Sequence, residues 1–199
     1  MPTEADPSSR RRLLLAAVEA FGTRGYKGTT TRDIALAAGM SPAAIYVHHR
    51  SKEELLFVVC EAGHLELLAE VEQAISKATD PRERLTGVMR AFVVEHAINQ
   101  ATARVVNDEV GSLGPEHREH IIGLRRQLDE HVRRIVEDGV AAGMFDAPDP
   151  SMTTRALLSL GMDVARWFLP GGRWSVEQIA DRYCEFALRM VGAEPPRSA

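Results

Sequence analysis

Residues 29–56 read TTTRDIALAAGMSPAAIYVHHRSKEELL, and the spacing of small, apolar and turn-forming residues in this stretch leaves little choice of local fold. With Ala35 at the fifth place of one helix, Gly39 falls at the ninth, where the chain has to turn. A side chain larger than Ala at 35 would push a second helix away. Gly39 accepts the left-handed backbone that ends one helix just before the next begins. Ile34, Ala38, Met40 and Ile45 take the inward places that hold the two helices together. Ser41 is a good N-cap, and Pro42 suits the first helical position, where a missing N–H costs nothing. The second helix, over 42–49, is then short and exposed along Ser41, Ala43, Ala44 and Val47. Such a helix fits a major groove about 12 Å wide. The spacing predicts a helix–turn–helix that reads duplex DNA.

Anion-facing chemistry flanks the unit. Thr30 or Thr31 caps the first helix, turning amides and a hydroxyl toward an anion, and Arg32 follows in the first turn. Tyr46, His48, Arg50 and Lys52 trail the second helix, and Ser51 opens a further helix as a capping box with Glu54. Contacts of this kind set register and affinity but carry little sequence information. Taken singly, each has a plainer alternative: Tyr46 in a core, the charges merely solvated. The inward spacing and the basic flanks together favour DNA.

On these residues the first 56 positions resemble the DNA-binding domain of the TetR family of bacterial transcriptional regulators. The likeness covers the helix over 10–23, the linker RGYKGTTTRDIA and the stretch AGMSPAAIYVHHRSKEELL. The resemblance implies base contacts from Ser41, Ala43 and Ala44, around Pro42, with Arg32 close by. It implies phosphate contacts from Thr31, Tyr46, His48 and Lys52. One position departs: His49 stands where the family usually has a Phe that packs the reading helix onto the next.

Composition narrows the class. A chain of 199 residues can hold a small domain and a larger one with a sizeable core. No apolar run approaches a membrane span, and the N-terminus lacks the apolar core of a signal peptide. Cys60 and Cys184 stand far apart, without metal-ligand or disulfide spacing, and read as small core residues of a cytoplasmic protein. The net charge of −4 hides an asymmetry. Residues 1–52 carry eight Lys/Arg against four Asp/Glu, a balance of +4; the remainder carries sixteen against twenty-four, a balance of −8. A basic head on an acidic body suits a duplex-binding protein.

The periodicity predicts an all-α chain of about nine helices. The expected organisation is a flexible leader over 1–8, a DNA-binding domain over 9–52, an effector-binding and dimerisation domain over 53–193, and a flexible tail over 194–199. Leu14, Ala17, Val18 and Phe21 mark the inner face of the first helix. Longer helices follow over 51–77, 81–99, 101–112, 115–143, 151–169 and 175–190. Pro81 and Pro150 sit at helix starts, and Pro170-Gly171-Gly172 is a break.

The two C-terminal helices carry a second expectation. The 151–169 helix is apolar on nearly every side, and the last has an apolar stripe. Paired with their copies, they would form a four-helix homodimer interface through Leu157, Leu160, Val164, Phe168, Ile179, Tyr183, Phe186 and Met190. A homodimer also places two reading helices on a palindromic operator. The alternative buries both helices inside one monomer.

Within LLSLGMDVARWFLPGGRWS, Arg166, Trp167, Arg173 and Trp174 are candidate effector contacts, since Arg can hold an anionic group while an indole stacks on a flat ring. This ending is similar to a branch of the family that senses acyl-coenzyme A thioesters from fatty-acid or steroid breakdown. The resemblance implies an acyl-CoA effector and, by default, a repressor; an unrelated hydrophobic ligand is the alternative. The competing reading pairs Arg166 with Asp163 and places both Trp residues in the dimer interface.

Glu116, His117 and His120 offer metal-ligand types, with His131 farther along, but on an Arg-rich face without a carboxylate or Cys cluster. Glu53-Glu54 and Asp108-Glu109 are adjacent pairs that diverge on a helix. No nucleophile turn and no phosphate-cradling loop is present. The reading is therefore neither enzyme nor metalloprotein, with no cofactor. A helical adaptor that does not bind DNA is the other alternative, and the basic head argues against it.

Overall fold

The computed structural model describes residues 7–193. Among these, every element is helical: α1 (Pro7–Arg24), α2 (Thr31–Ala37), α3 (Pro42–His48), α4 (Lys52–Lys77), α5 (Pro81–Ile98), α6 (Gln100–Asp108), α7 (Pro115–Ala141), α8 (Pro150–Met162), α9 (Val164–Trp167) and α10 (Val176–Met190). A short 3-10 helix, Val110–Ser112, lies between α6 and α7. The leader and tail expected at the termini fall outside the described residues, except that Pro7 and Ser8 already belong to α1.

Local chemistry sets the boundaries. Thr30 and Asp33 close a capping box at the start of α2. At its end Gly39 has φ +67°. Its N–H donates to the Leu36 carbonyl at 3.0 Å, and the Met40 N–H donates to Ala35 at 2.8 Å. This pair of bonds satisfies carbonyls the helix would otherwise leave open, and it requires the left-handed residue between them. Asp80 caps α5, Asp149 caps α8, and Ser175 with Gln178 boxes α10. The helix expected over 101–112 stops at Asp108 and tightens into the 3-10 turn. The helix expected over 151–169 is broken at Asp163, where the ladder thins: its N–H lies 3.4 Å from the Ser159 carbonyl. Counting α8 and α9 as one interrupted helix, nine helices lie among the described residues.

The chain divides into two compact units. One holds the chain through His64 together with Ala101–Ile122. In α1 its core takes Leu13, Ala17, Ala20 and Phe21; Leu14 and Val18, expected inward, are only half-buried. Ile34, Ala35, Ile45, Leu55 and Leu56 join it, each fully buried.

The other unit holds Leu65–Gln100 and the chain from Gly123 onward. Here α5 packs along α10 and against α8. Val93, Ala97, Val164, Phe168, Ile179 and Ala180 form one cluster of its core. Gly161 makes the α5–α8 approach possible, since a Cβ there would lie 2.5 Å from the Phe92 ring. Cys60 and Cys184 are buried and not joined in a disulfide. Burial pushes the Cys184 thiol up to about 11, and its S–H donates to the Thr86 carbonyl.

Candidate nucleic-acid interface and effector pocket

The α2–α3 pair has the geometry its spacing demands. Ile34, Ala35, Ala38 and Ile45 are buried and Met40 half-buried. Ser41, Pro42 and Ala43 are exposed, so the outward face at the start of α3 carries small side chains. Ser41 stands at the N-cap in extended backbone, but its hydroxyl makes no capping bond. Tyr46 is 60% exposed, which removes it from the core. The side chains of Ala44, Val47 and His48 lie outside the described residues. His49 is 3% exposed, so the imidazole occupies the inward place that follows α3. Its N–H closes α3 on the Ile45 carbonyl at 2.8 Å.

Two of the expected phosphate donors have internal partners. The Thr30 hydroxyl donates to the Asp33 carboxylate at 2.7 Å, and accepts the Asp33 N–H at 3.1 Å. The bonds from Thr30, with the charges of Arg24 and Arg32, lower the Asp33 pKa and hold a carboxylate at this helix start. The Lys52 ammonium donates to the Tyr26 and Thr29 carbonyls, each at 2.8 Å. Arg32 and Arg50 are exposed and Thr31 is half-buried. Sequence reasoning overlooked Asp33, although Thr-x-x-Asp is a shortened form of a capping signature. It also overlooked Thr29, whose buried hydroxyl donates to the Ala20 and Gly25 carbonyls and ties the α1–α2 linker to α1.

The C-terminal residues are sorted differently from expectation. Leu157 and Val164 are fully buried, and Phe168 and Ile179 nearly so. Within the chain these four pack in the core of their own unit, where α5 covers the inner faces of α8, α9 and α10. Leu160 and Tyr183 are half-buried, while Phe186 and Met190 are 43% and 40% exposed. The outer stripe of α10 is therefore apolar and uncovered among the described residues.

Around that stripe the candidate effector and dimer residues merge into one aromatic cluster. The Trp167 and Trp174 rings stand perpendicular with centroids 6.5 Å apart. Tyr183 lies 6.4 Å from Trp167 and 6.0 Å from Phe186. Burial raises the Tyr183 phenol pKa; a hydrogen bond from the Trp167 indole opposes this, and Asp163 adds to it. The rings, with Gln178, Ile179 and Arg182, line an open pocket of about 360 Å³. The Arg173 guanidinium lies over the Trp174 ring, 5.2 Å from its centroid. Arg166 is exposed on α9.

The histidines of α7 meet carboxylates on α4 and not one another. His117 Nδ1 lies 3.0 Å from both Glu53 oxygens, His120 Nε2 2.9 Å from Glu61, and His131 Nε2 3.6 Å from Glu72. Phe57 stacks on the His117 ring at 3.9 Å. No group of three or more His, Cys, Asp or Glu side chains arranged to hold a metal ion occurs among the described residues. No helix among them is long and apolar enough to cross a membrane.

Residues 13–59 match the family model described as bacterial regulatory proteins, tetR family, and residues 78–191 match that of the tetracyclin repressor-like C-terminal domain. The HTH-type transcriptional repressor KstR2 of Mycolicibacterium smegmatis is 32% identical over 191 residues, which is 94% of this chain and 92% of that protein. A bacterial regulatory protein in the tetR family from Rhodococcus RHA1 has a crystal structure that superposes with a TM-score of 0.89. It is 41% identical and covers 94% of this chain and 98% of its own. The crystal structure of AibR in complex with isovaleryl coenzyme A and operator DNA superposes with a TM-score of 0.83, at 26% identity, over 89% of this chain and 97% of that one.

Proposed function

The chain belongs to the TetR family of bacterial regulatory proteins, and on that premise we propose that it is a repressor released from a palindromic operator by a hydrophobic small molecule, an acyl-CoA thioester by preference. The observation that carries the DNA half is the packed α2–α3 pair: Ala35 fully buried, Ser41, Pro42 and Ala43 outward. Base contacts come from Ser41, Ala43 and Ala44 with Arg32 beside them, and phosphate contacts from Thr31, Tyr46 and His48. Residues 9–52 form the reading domain and 53–193 the effector and dimerisation domain. The protein acts as a cytoplasmic homodimer through the outer stripe of α10, with Tyr183, Phe186 and Met190 at its centre and Leu160 flanking.

The dimer holds two reading helices about one DNA turn apart, near 34 Å. An effector lowers operator affinity by binding the DNA-incompetent arrangement more tightly than the competent one. The acyl-CoA preference is supported by the aromatic pocket flanked by Arg173, where indole faces suit a flat ring and guanidinium suits phosphate. It is supported also by the similarity to AibR, whose crystal structure holds isovaleryl coenzyme A.

The test is to extract the purified protein for mass spectrometry and to titrate short, long and sterol-derived acyl-CoA thioesters against its complex with its own upstream DNA. Thioesters should release DNA, and free coenzyme A and the free acids should act weakly, because acyl burial contributes about 0.8 kcal/mol per methylene and the phosphates anchor the other end. Absence of release, and of any thermal shift, across the whole series would leave the operator reading intact and discard the thioester.

A further inference from the structure

Asp108-Glu109 is an adjacent carboxylate pair unsuited to catalysis, yet Glu109 reaches across 83 positions to the linker between α1 and α2. Its Oε1 accepts the Tyr26 backbone N–H at 3.0 Å. Its Oε2 accepts the Ser112 hydroxyl at 3.2 Å, which holds the carboxylate in that orientation. Glu109 itself stands at the N-cap of the 3-10 helix that follows α6, with its own N–H on the Val105 carbonyl at 3.0 Å.

The linker it grips is the segment from which α2 and α3 depart. The next peptide unit is held as well, because the Tyr26 carbonyl accepts from Lys52 at 2.8 Å. Tyr26 thus has its N–H held by one charged side chain and its C=O by another. A carboxylate repels a phosphate, so the Glu109 side chain is unsuited to a direct backbone contact with DNA. The charge is spent on an amide that lies outside regular secondary structure and would otherwise depend on water.

We propose that Glu109 is a positioning residue for operator recognition: by holding the Tyr26 N–H it fixes the α1–α2 linker, and with it the direction in which the reading pair leaves α1. A loosened linker must be ordered again on each binding event, so its loss lowers affinity without removing a phosphate contact. The proposal rests on the operator reading above.

The experiment uses the full-length protein, a duplex carrying the palindrome upstream of its own gene, and a random duplex of equal length. Glu109→Ala should weaken operator binding about ten-fold, in keeping with loss of a charge-assisted bond. The slope of log affinity against log salt should stay at the wild-type value, and amide exchange at Tyr26 should accelerate. Glu109→Gln keeps an acceptor oxygen at the same place and should restore both the affinity and the exchange protection. Wild-type affinity in Glu109→Ala, or an equal loss in Glu109→Gln alongside a collapsed thermal transition, would overturn the positioning role. A slope reduced by about one in Glu109→Ala would overturn it too, by showing that a phosphate contact had been lost. Failure of the wild type to prefer the palindrome over the random duplex would defeat the operator reading itself, and the proposal with it.

Discussion

The Lys52 ammonium lies 2.8 Å from the carbonyl oxygens of both Tyr26 and Thr29, and 4.0 Å from the centroid of the Tyr26 ring. A cation at the start of α4 is thus spent on the linker that precedes α2. Lys52→Met should lower stability by about 1–2 kcal/mol, the scale of hydrogen bonds to a charged group that is only part-buried. It should weaken binding to every duplex with little change in the salt slope. A slope lower by about one, with an unchanged melting temperature, would mean that the ammonium meets a phosphate instead.

His96 gives the fold a defined acid sensitivity. Its ring is buried, stacks on Phe92 at 4.4 Å, and bonds the Phe92 carbonyl through Nδ1 at 2.8 Å. Burial lowers its pKa below the ordinary 6.5, and that bond opposes the shift. The unfolded chain therefore takes up a proton before the folded one does. The stabilisation is present above about pH 6.5 and is lost as pH falls through the lower folded value. Glu95 has the opposite sign: burial raises its carboxyl pKa, against a bond from Asn99 and with Glu66 and Glu70 adding to it. Melting curves between about pH 7.5 and about pH 5 should therefore fall less steeply for His96→Phe than for the wild type. Equal slopes would exclude His96 as the source.

Helix α10 has two apolar faces with different fates. Ile179→Glu places a charge in the core and should cost several kcal/mol, enough to prevent folding. Phe186→Glu, on the uncovered stripe, should leave helicity and melting largely unchanged while light scattering reports a monomer and operator binding is lost. A Phe186→Glu dimer would remove this stripe from the interface.

Much of the fold was legible because it is written in short-range signals. Gly39 between Ala35 and Met40, Pro after Asp80 and Asp149, and Ser175 at the start of the last helix act within one helical turn. Apart from Asp33 and Thr29, whose partners are near in sequence, what escaped depends on partners far along the chain. A Lys at a helix start looks the same whether it faces phosphate or the carbonyls of residues 26 and 29. Glu109 bonds Tyr26, and Gly161 makes room for Phe92, across distances over which periodicity carries no information. The apolar all-round pattern of α8 and α9 pointed to burial, but could not say against what; within the chain α5 covers Leu157, Val164, Phe168 and Ile179.

The aromatic cluster joins two roles the sequence kept apart. If the pocket holds an acyl-CoA, Arg173→Ala and Trp167→Ala should reduce release of DNA by thioester several-fold and leave effector-free operator binding unchanged. If these side chains serve only the dimer, the same substitutions should weaken self-association and operator binding together. Arg166→Ala, exposed on α9, should follow Arg173→Ala under the first account. Sedimentation and operator titration of the same samples separate the two.

The central claim is that this chain recognises one palindrome through two copies of the α2–α3 pair. The most direct measurement is a titration of the purified protein against its own upstream palindrome and against a random duplex, repeated across salt concentrations. The account requires tighter binding to the palindrome at every salt concentration, one dimer per site as the smallest complex, and log affinity falling linearly with log salt as counterions are released. Indistinguishable affinities for the two duplexes at all salt concentrations would contradict it.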